Sequence, residues 1–144
     1  MRRPRGDDGS ILPLTIFYGV LSLLLVLLVV SATSLYLERK RLFTLADGAA
    51  LVGAEAYDLN DVATEGGGRR VDLNSADVAS AVDDYIADYP TGRFEQLAVD
   101  EAGSADGRSA TVSLSSYWRP PLVSLLVPSG VRIEVTAVAR SVFE

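Results

Sequence analysis

The chain reads as an α+β protein built on one long N-terminal helix, with a second, shorter helix and a small antiparallel sheet of about three strands. Three observations predict this class. Residues 11–37 carry no charged side chain at all. Small and apolar residues keep helical spacing beyond that run as far as Tyr57. The last third alternates apolar and polar residues with the period of two that marks half-buried strands.

The uncharged run comes first in the argument because nothing else in the chain is so apolar. At about 1.5 Å rise per residue it makes a helix of roughly 40 Å, enough to cross a hydrocarbon core of about 30 Å. In lipid every backbone N–H and C=O must be bonded within the segment, which for one lone span means a helix. Pro13 sits in the first turn, where a missing N–H costs little, and Ser10 just upstream is a cap. Arg39, Lys40 and Arg41 close the far end at headgroup level, with Tyr36 as an interfacial ring. A cleaved signal peptide is the competing reading, with Arg2, Arg3 and Arg5 as its basic start. Its apolar core would span about 7–15 residues, however, and would not run on into a basic stop. The remainder of the chain is too small to surround such a helix as a soluble core. The run is therefore expected to be a transmembrane anchor, preceded by a short polar tail at residues 1–10.

No breaker follows Lys40. Leu42, Leu45, Ala46, Ala49, Ala50, Gly53 and Ala54 continue at i, i+3 and i+4 spacing, so residues 38–57 are expected to extend the same helix into water. Ala46, Ala49, Ala50, Gly53 and Ala54 form a strip of small residues along which another backbone can approach closely. The strip serves either the chain's own sheet or a second helix of an assembly. Residues 58–144 are then expected to form a small α+β domain outside the membrane. They open with a loop over residues 58–74, centred on Gly66, Gly67 and Gly68. Asp58, Asn60 and Glu65 there match a calcium loop only faintly, since Val62 and Ala63 stand where an oxygen ligand and a glycine are needed. A second helix over residues 75–89 is capped by Asn74 or Ser75, buries Val78, Val82 and Ile86, and stops before Pro90. Asp83, Asp84 and Asp88 belong to its solvated face.

Strands follow at residues 94–100, 109–118 and 131–142, the first two joined by the Gly-containing turn 101–108. The second points Ala110, Val112, Leu114 and Trp118 inward and Ser109, Thr111, Ser113 and Ser115 outward. The third points Val131, Ile133, Val135, Ala137 and Ala139 inward. Between these two strands lie Leu122, Val123, Leu125, Leu126 and Val127, too many apolar groups for an ordinary solvent loop. They form a candidate contact loop, either folded over the sheet end or turned to a partner or the membrane.

Composition excludes more than it selects. Residues 1–41 hold six Lys/Arg and three Asp/Glu, whereas residues 42–144 hold seven Arg and sixteen Asp/Glu. So acidic a domain repels phosphate backbones, and no nucleic-acid partner is expected. The absence of Cys and His removes disulfides, thiolate metal sites and the commonest general base. No metal, cofactor or catalytic residue is assigned. Lys40, the one lysine, sits at the membrane edge, which leaves little for an enzyme to use. Three basic residues flank each side of the anchor, so charge alone does not orient it.

Gly9-Ser10, Pro13, Arg39 to Arg41 and the stretch from Ala46 to Ala54 (ADGAALVGA) resemble the TadE/TadG-like proteins of Flp, or tight adherence, pilus assembly. The resemblance covers roughly the first 57 residues. It implies a pilin-like, non-enzymatic protein of the cytoplasmic membrane with its N-terminus cytoplasmic and its domain outside. It further implies other pilus or secretion proteins as partners, with oligomerisation through the N-terminal helix. Pilin-like members place Glu at the fifth position after a cleavage Gly. Here the fifth residue after Gly9 is Leu14, and the first acid beyond Gly9 is Glu38. The expectation is accordingly a minor, membrane-resident assembly component. A membrane-anchored ligand-binding or sensor ectodomain is the alternative, and it would need a pocket.

Overall fold

A computed structural model describes residues 11–56, 62–65, 68–120 and 128–140. One helix, α1, runs unbroken through Ile11–Glu55, 45 residues or about 68 Å. Its two halves differ in what surrounds them. Residues 11–30 are exposed apart from the half-buried Leu27, whereas Leu42, Leu45, Ala46, Ala49, Ala50, Gly53 and Ala54 are buried. The chain then forms a two-stranded antiparallel hairpin, β1 (Val62–Glu65) and β2 (Gly68–Val71), with Glu65 opposite Gly68. This corrects the loop expected over residues 58–74. Strands of four residues are too short for period-two alternation to reveal them.

The second helix, α2 (Ser75–Asp88), starts where expected. Asn74 is its N-cap, its side chain accepting from the Ala76 N–H at 3.0 Å. Ser75 has a different task. Its hydroxyl donates to the Ser104 carbonyl and accepts from the Ser104 N–H, pinning the start of α2 to the turn after the first long strand.

Three strands make the main sheet: β3 (Glu95–Gly103), β4 (Ser109–Trp118) and β5 (Val131–Arg140), antiparallel in the order β3-β4-β5. The β4–β5 register is uninterrupted from Ser109 opposite Arg140 to Trp118 opposite Val131. Two register shifts interrupt β3, between Glu95 and Ala98 and between Val99 and Glu101, and Gln96 within the first has φ of 50°. Beyond the shifts the pairing resumes, and β3 runs on to Gly103, past the end expected at Asp100. The turn into β4 is held by Asp106, whose carboxylate accepts from the N–H groups of Arg108 and Ser109 and from the Ser109 hydroxyl. Gly107 there has φ of 66°, in the left-handed region that a glycine enters freely.

Helices α1 and α2 cover one face of this sheet, α1 over β4 and β5 and α2 over β3. Val78, Val82, Val112, Leu114 and Val135 are buried with the α1 residues in one core. Trp118, expected inside, is only partly buried and packs at the rim, because it ends β4 where the sheet meets α1. Val131, also expected inside, is 45% exposed at the same end. Ser113 and Ser115, expected on an outer solvated face, are buried. They sit on the middle strand, where Ser113 bonds the Thr136 hydroxyl at 2.8 Å and the Arg132 guanidinium lies over Ser115. Ser116 is buried on the helix-facing side and donates to the Glu95 carbonyl.

Two outcomes follow. A Cβ at Gly53 would lie 3.0 Å from Val78 Cγ1 and 3.3 Å from the Ala110 Cβ, so Gly53→Leu should cost about 1–3 kcal/mol, read as a lowered midpoint for the full chain in detergent. An unchanged midpoint would contradict the α1–α2–β4 packing. The second concerns acid. Backbone and hydroxyl donors hold the Asp106 carboxyl at about 2, below its ordinary 3.8. A depressed folded-state value stabilises the protein above the ordinary value and stops doing so as pH falls through the depressed one. Stability should therefore decline between pH of about 4 and about 2. Asp106→Asn, which keeps an acceptor but does not titrate, should flatten part of that decline.

Candidate functional site: the junction of helix and head

The small-residue strip has a definite place. Ala46, Ala49, Ala50, Gly53 and Ala54 are all buried in the chain's own core against α2 and the sheet. Absent side chains at these positions let the α1 backbone approach Val78, Val82 and Ala110 closely. That is the internal one of the two uses weighed for the strip. Apolar groups exposed on the aqueous half of α1 are instead Phe43 and Leu51. The second candidate site, Leu122, Val123, Leu125, Leu126 and Val127, lies outside the described residues.

The buried face of α1 does not begin at Leu42. Half-buried Ser31, Ser34, Leu35 and Glu38 fall on the same side of the helix, one to three turns earlier. Ser34 accepts a hydrogen bond from the Trp118 indole N–H at 3.2 Å, and Leu35 packs on the core. The sheet end therefore reaches down over the last two turns of the uncharged run. What remains bare is residues 11–30, twenty residues or about 30 Å, which matches the thickness of a hydrocarbon core.

Beside this contact, two open crevices flank α1. One has Val30, Thr33, Leu37 and Arg41 among its walls. The other, of about 470 Å³, lies between α1 and β5 and is lined by Ala32, Leu35, Tyr36, Arg39, Arg132, Ile133 and Glu134. The Arg132 side chain itself crosses the outer face of the sheet, its Nη2 donating to Asp100 Oδ1 at 2.8 Å and to Ser115 Oγ at 3.1 Å. The Ser115 hydroxyl contributes most to holding the Asp100 carboxyl below its usual range. Burial opposes that shift, and Arg132 reinforces it by hydrogen bond and charge. Among the described residues no three acidic side chains converge to hold a metal ion.

Sequence reasoning missed this junction. The signal was present in Ser31, Ser34 and Glu38, polar groups at i, i+3 and i+7 that prolong the Leu42–Leu45–Ala49 stripe backward into the apolar run.

A single helix with one bare half and one half built into an α+β head defines the architecture. Residues 9–56 match the Tad family model, described as Flp pilus-assembly TadE/G-like. The match spans a third of the chain and coincides with α1, bare half and packed half together. No curated protein and no solved structure matches the chain.

Removing the indole–hydroxyl bond should register in stability. Ser34→Ala is expected to cost about 0.5–1.5 kcal/mol in the full chain. On a Trp118→Phe background the same substitution should cost close to nothing, since its partner is gone. Equal costs in both backgrounds, measured by denaturant titration in detergent, would show that the contact contributes no stability.

Proposed function

We propose that this chain is a single-pass protein of the cytoplasmic membrane that serves, without catalysis, as a structural or assembly component of a Flp/Tad-type pilus or a related secretion apparatus. The observation that carries the reading is the coincidence of the family match with α1. The matched residues are those that present a bare span of membrane thickness and, directly after it, the packed half that holds the head. The described crevices are open and lie where the head meets the helix.

In this proposal the N-terminal tail is cytoplasmic and the head is outside. Partners are other proteins of the apparatus, reached through the exposed side of α1 carrying Phe43 and Leu51 or through the head.

The chain has no cysteine, so single-cysteine labelling is clean. In cells stripped of any outer barrier, an impermeant maleimide should label Ser80→Cys at once and Asp8→Cys only after lysis. The reverse pattern would overturn the orientation. Rapid aqueous labelling of Leu24→Cys would overturn the span itself. Cells lacking the protein should lose surface pili of this type, and normal piliation would refute the assembly role.

A further inference from the structure

Helices α1 and α2 share one face of a sheet that is narrow for both. Two helices abreast span about 20 Å and three strands about 14 Å, so the helical layer overhangs by roughly one strand. The flank of α1 beside β5 marks where. Tyr36 and Arg39 line the crevice with Ile133, near the start of β5. Phe43, two turns beyond Tyr36, continues the same flank. Tyr36 and Phe43 remain 65% and 48% exposed, so this flank is an apolar ledge with nothing packed beneath its rings to cover them. The two edges of the sheet also differ. Two register shifts and Gln96, with φ of 50°, interrupt β3, and such irregularities blunt an edge against pairing. None blunts β5. All ten of its residues pair with β4 in unbroken register, it holds neither Pro nor Gly, and among the described residues no strand pairs with its other side.

We propose that the free edge of β5 accepts an extended strand of a different protein, antiparallel to β5, with alternate apolar side chains seated against Tyr36 and Phe43. The proposal deepens the assembly role above and rests on the single-pass reading. Backbone N–H and C=O groups along β5 supply the bonds, and the ledge selects apolar residues at every second position of the incoming strand. A second copy of this chain does not fit. Trp118 meets Ser34 and Ala110 lies at Gly53, so β4 descends along α1 toward the bare half, and β3 and β5 both rise. Two β5 edges would pair antiparallel only about a two-fold axis that crosses the strands, which turns one anchor upside down in the membrane. The other edge of a copy, β3, also rises and is interrupted. A descending strand has to come from another protein, and antiparallel pairing is the more stable per residue.

The test uses the full chain in membranes of its own host, with a photo-crosslinking residue at one position at a time and adducts mapped by mass spectrometry. Glu134 and Val138 report on the outer side of the edge, Tyr36 and Phe43 on the ledge, and all four are exposed. All four should join one segment of one partner, and the two pairs should reach residues of opposite parity within it, as successive side chains of a strand do. Position 138 should reach an earlier partner residue than position 134, the order of an antiparallel strand. Position 101, on the interrupted edge, should give no adduct to that segment. In the purified chain alternate β5 amides should exchange with solvent far faster than their neighbours. Uniformly slow exchange would mean that the chain covers its own edge, and overturns the proposal. Adducts between two copies at 134 or 138, adducts in parallel order, or no adducts at these two positions overturn it equally. Adducts confined to Phe43 and Leu51 refute the strand seat and leave the assembly role standing. Adducts of the expected parity with normal piliation in cells lacking the protein sustain the seat and refute that role.

Discussion

Everything in this structure depends on α1 being one helix that passes without a break from an apolar span into a folded head. The head has no core apart from it: the inner residues of β4 and β5, Val112, Leu114, Val135 and Ala137, are covered by Leu42, Leu45, Ala46 and Ala49. A three-stranded sheet with a single short helix could not bury its apolar face alone. Packing against α1 supplies the missing layer. In return, Gly48 and Gly53, which weaken a helix in water by about 1 kcal/mol each relative to Ala, are held in a tertiary contact that offsets the loss.

Small residues make this arrangement close. With alanine and glycine at the contact, the α1 backbone comes within side-chain reach of Val78 and Ala110, and the branched residues of α2 and β4 fill the space between. The outer face of the sheet is handled differently. There the middle strand carries serines, and long or polar residues of its neighbours close over them: Thr136 on Ser113, and Arg132 with Asp100 on Ser115. Burial on that side is achieved by hydrogen bonds between small polar groups, which is why β4 is buried on both faces although only one is apolar.

The sequence made the elements legible in proportion to the regularity of their patterns. The start and end of β4, the start of α2 and the continuation of α1 past Lys40 all follow from clean periodicity and an obvious cap. The β1–β2 hairpin was illegible because four-residue strands beside a glycine run look like a loop. Ser113 and Ser115 were read as exposed because alternation reports which face a residue takes, not whether long neighbours cover it. The junction was hidden for a related reason. Ser34 and Trp118 are 84 positions apart, and neither residue alone announces the other. The uncharged run to Leu37 looked uniformly suited to lipid, yet its last turns belong partly to the head.

The unbroken helix has a mechanical consequence. With the bare half in a membrane, as proposed above, a head fixed to α1 by its core and by the Trp118–Ser34 bond cannot pivot at the membrane surface as it would on a flexible stalk. Transmembrane helices tilt on average by about 20°, and the 25 residues of α1 beyond the bare span extend about 37 Å, so such a tilt carries the tip of α1 sideways by roughly 13 Å. In that proposed setting the helix is a lever with its fulcrum in the bilayer, and a change in its angle becomes a displacement at the far end of the head.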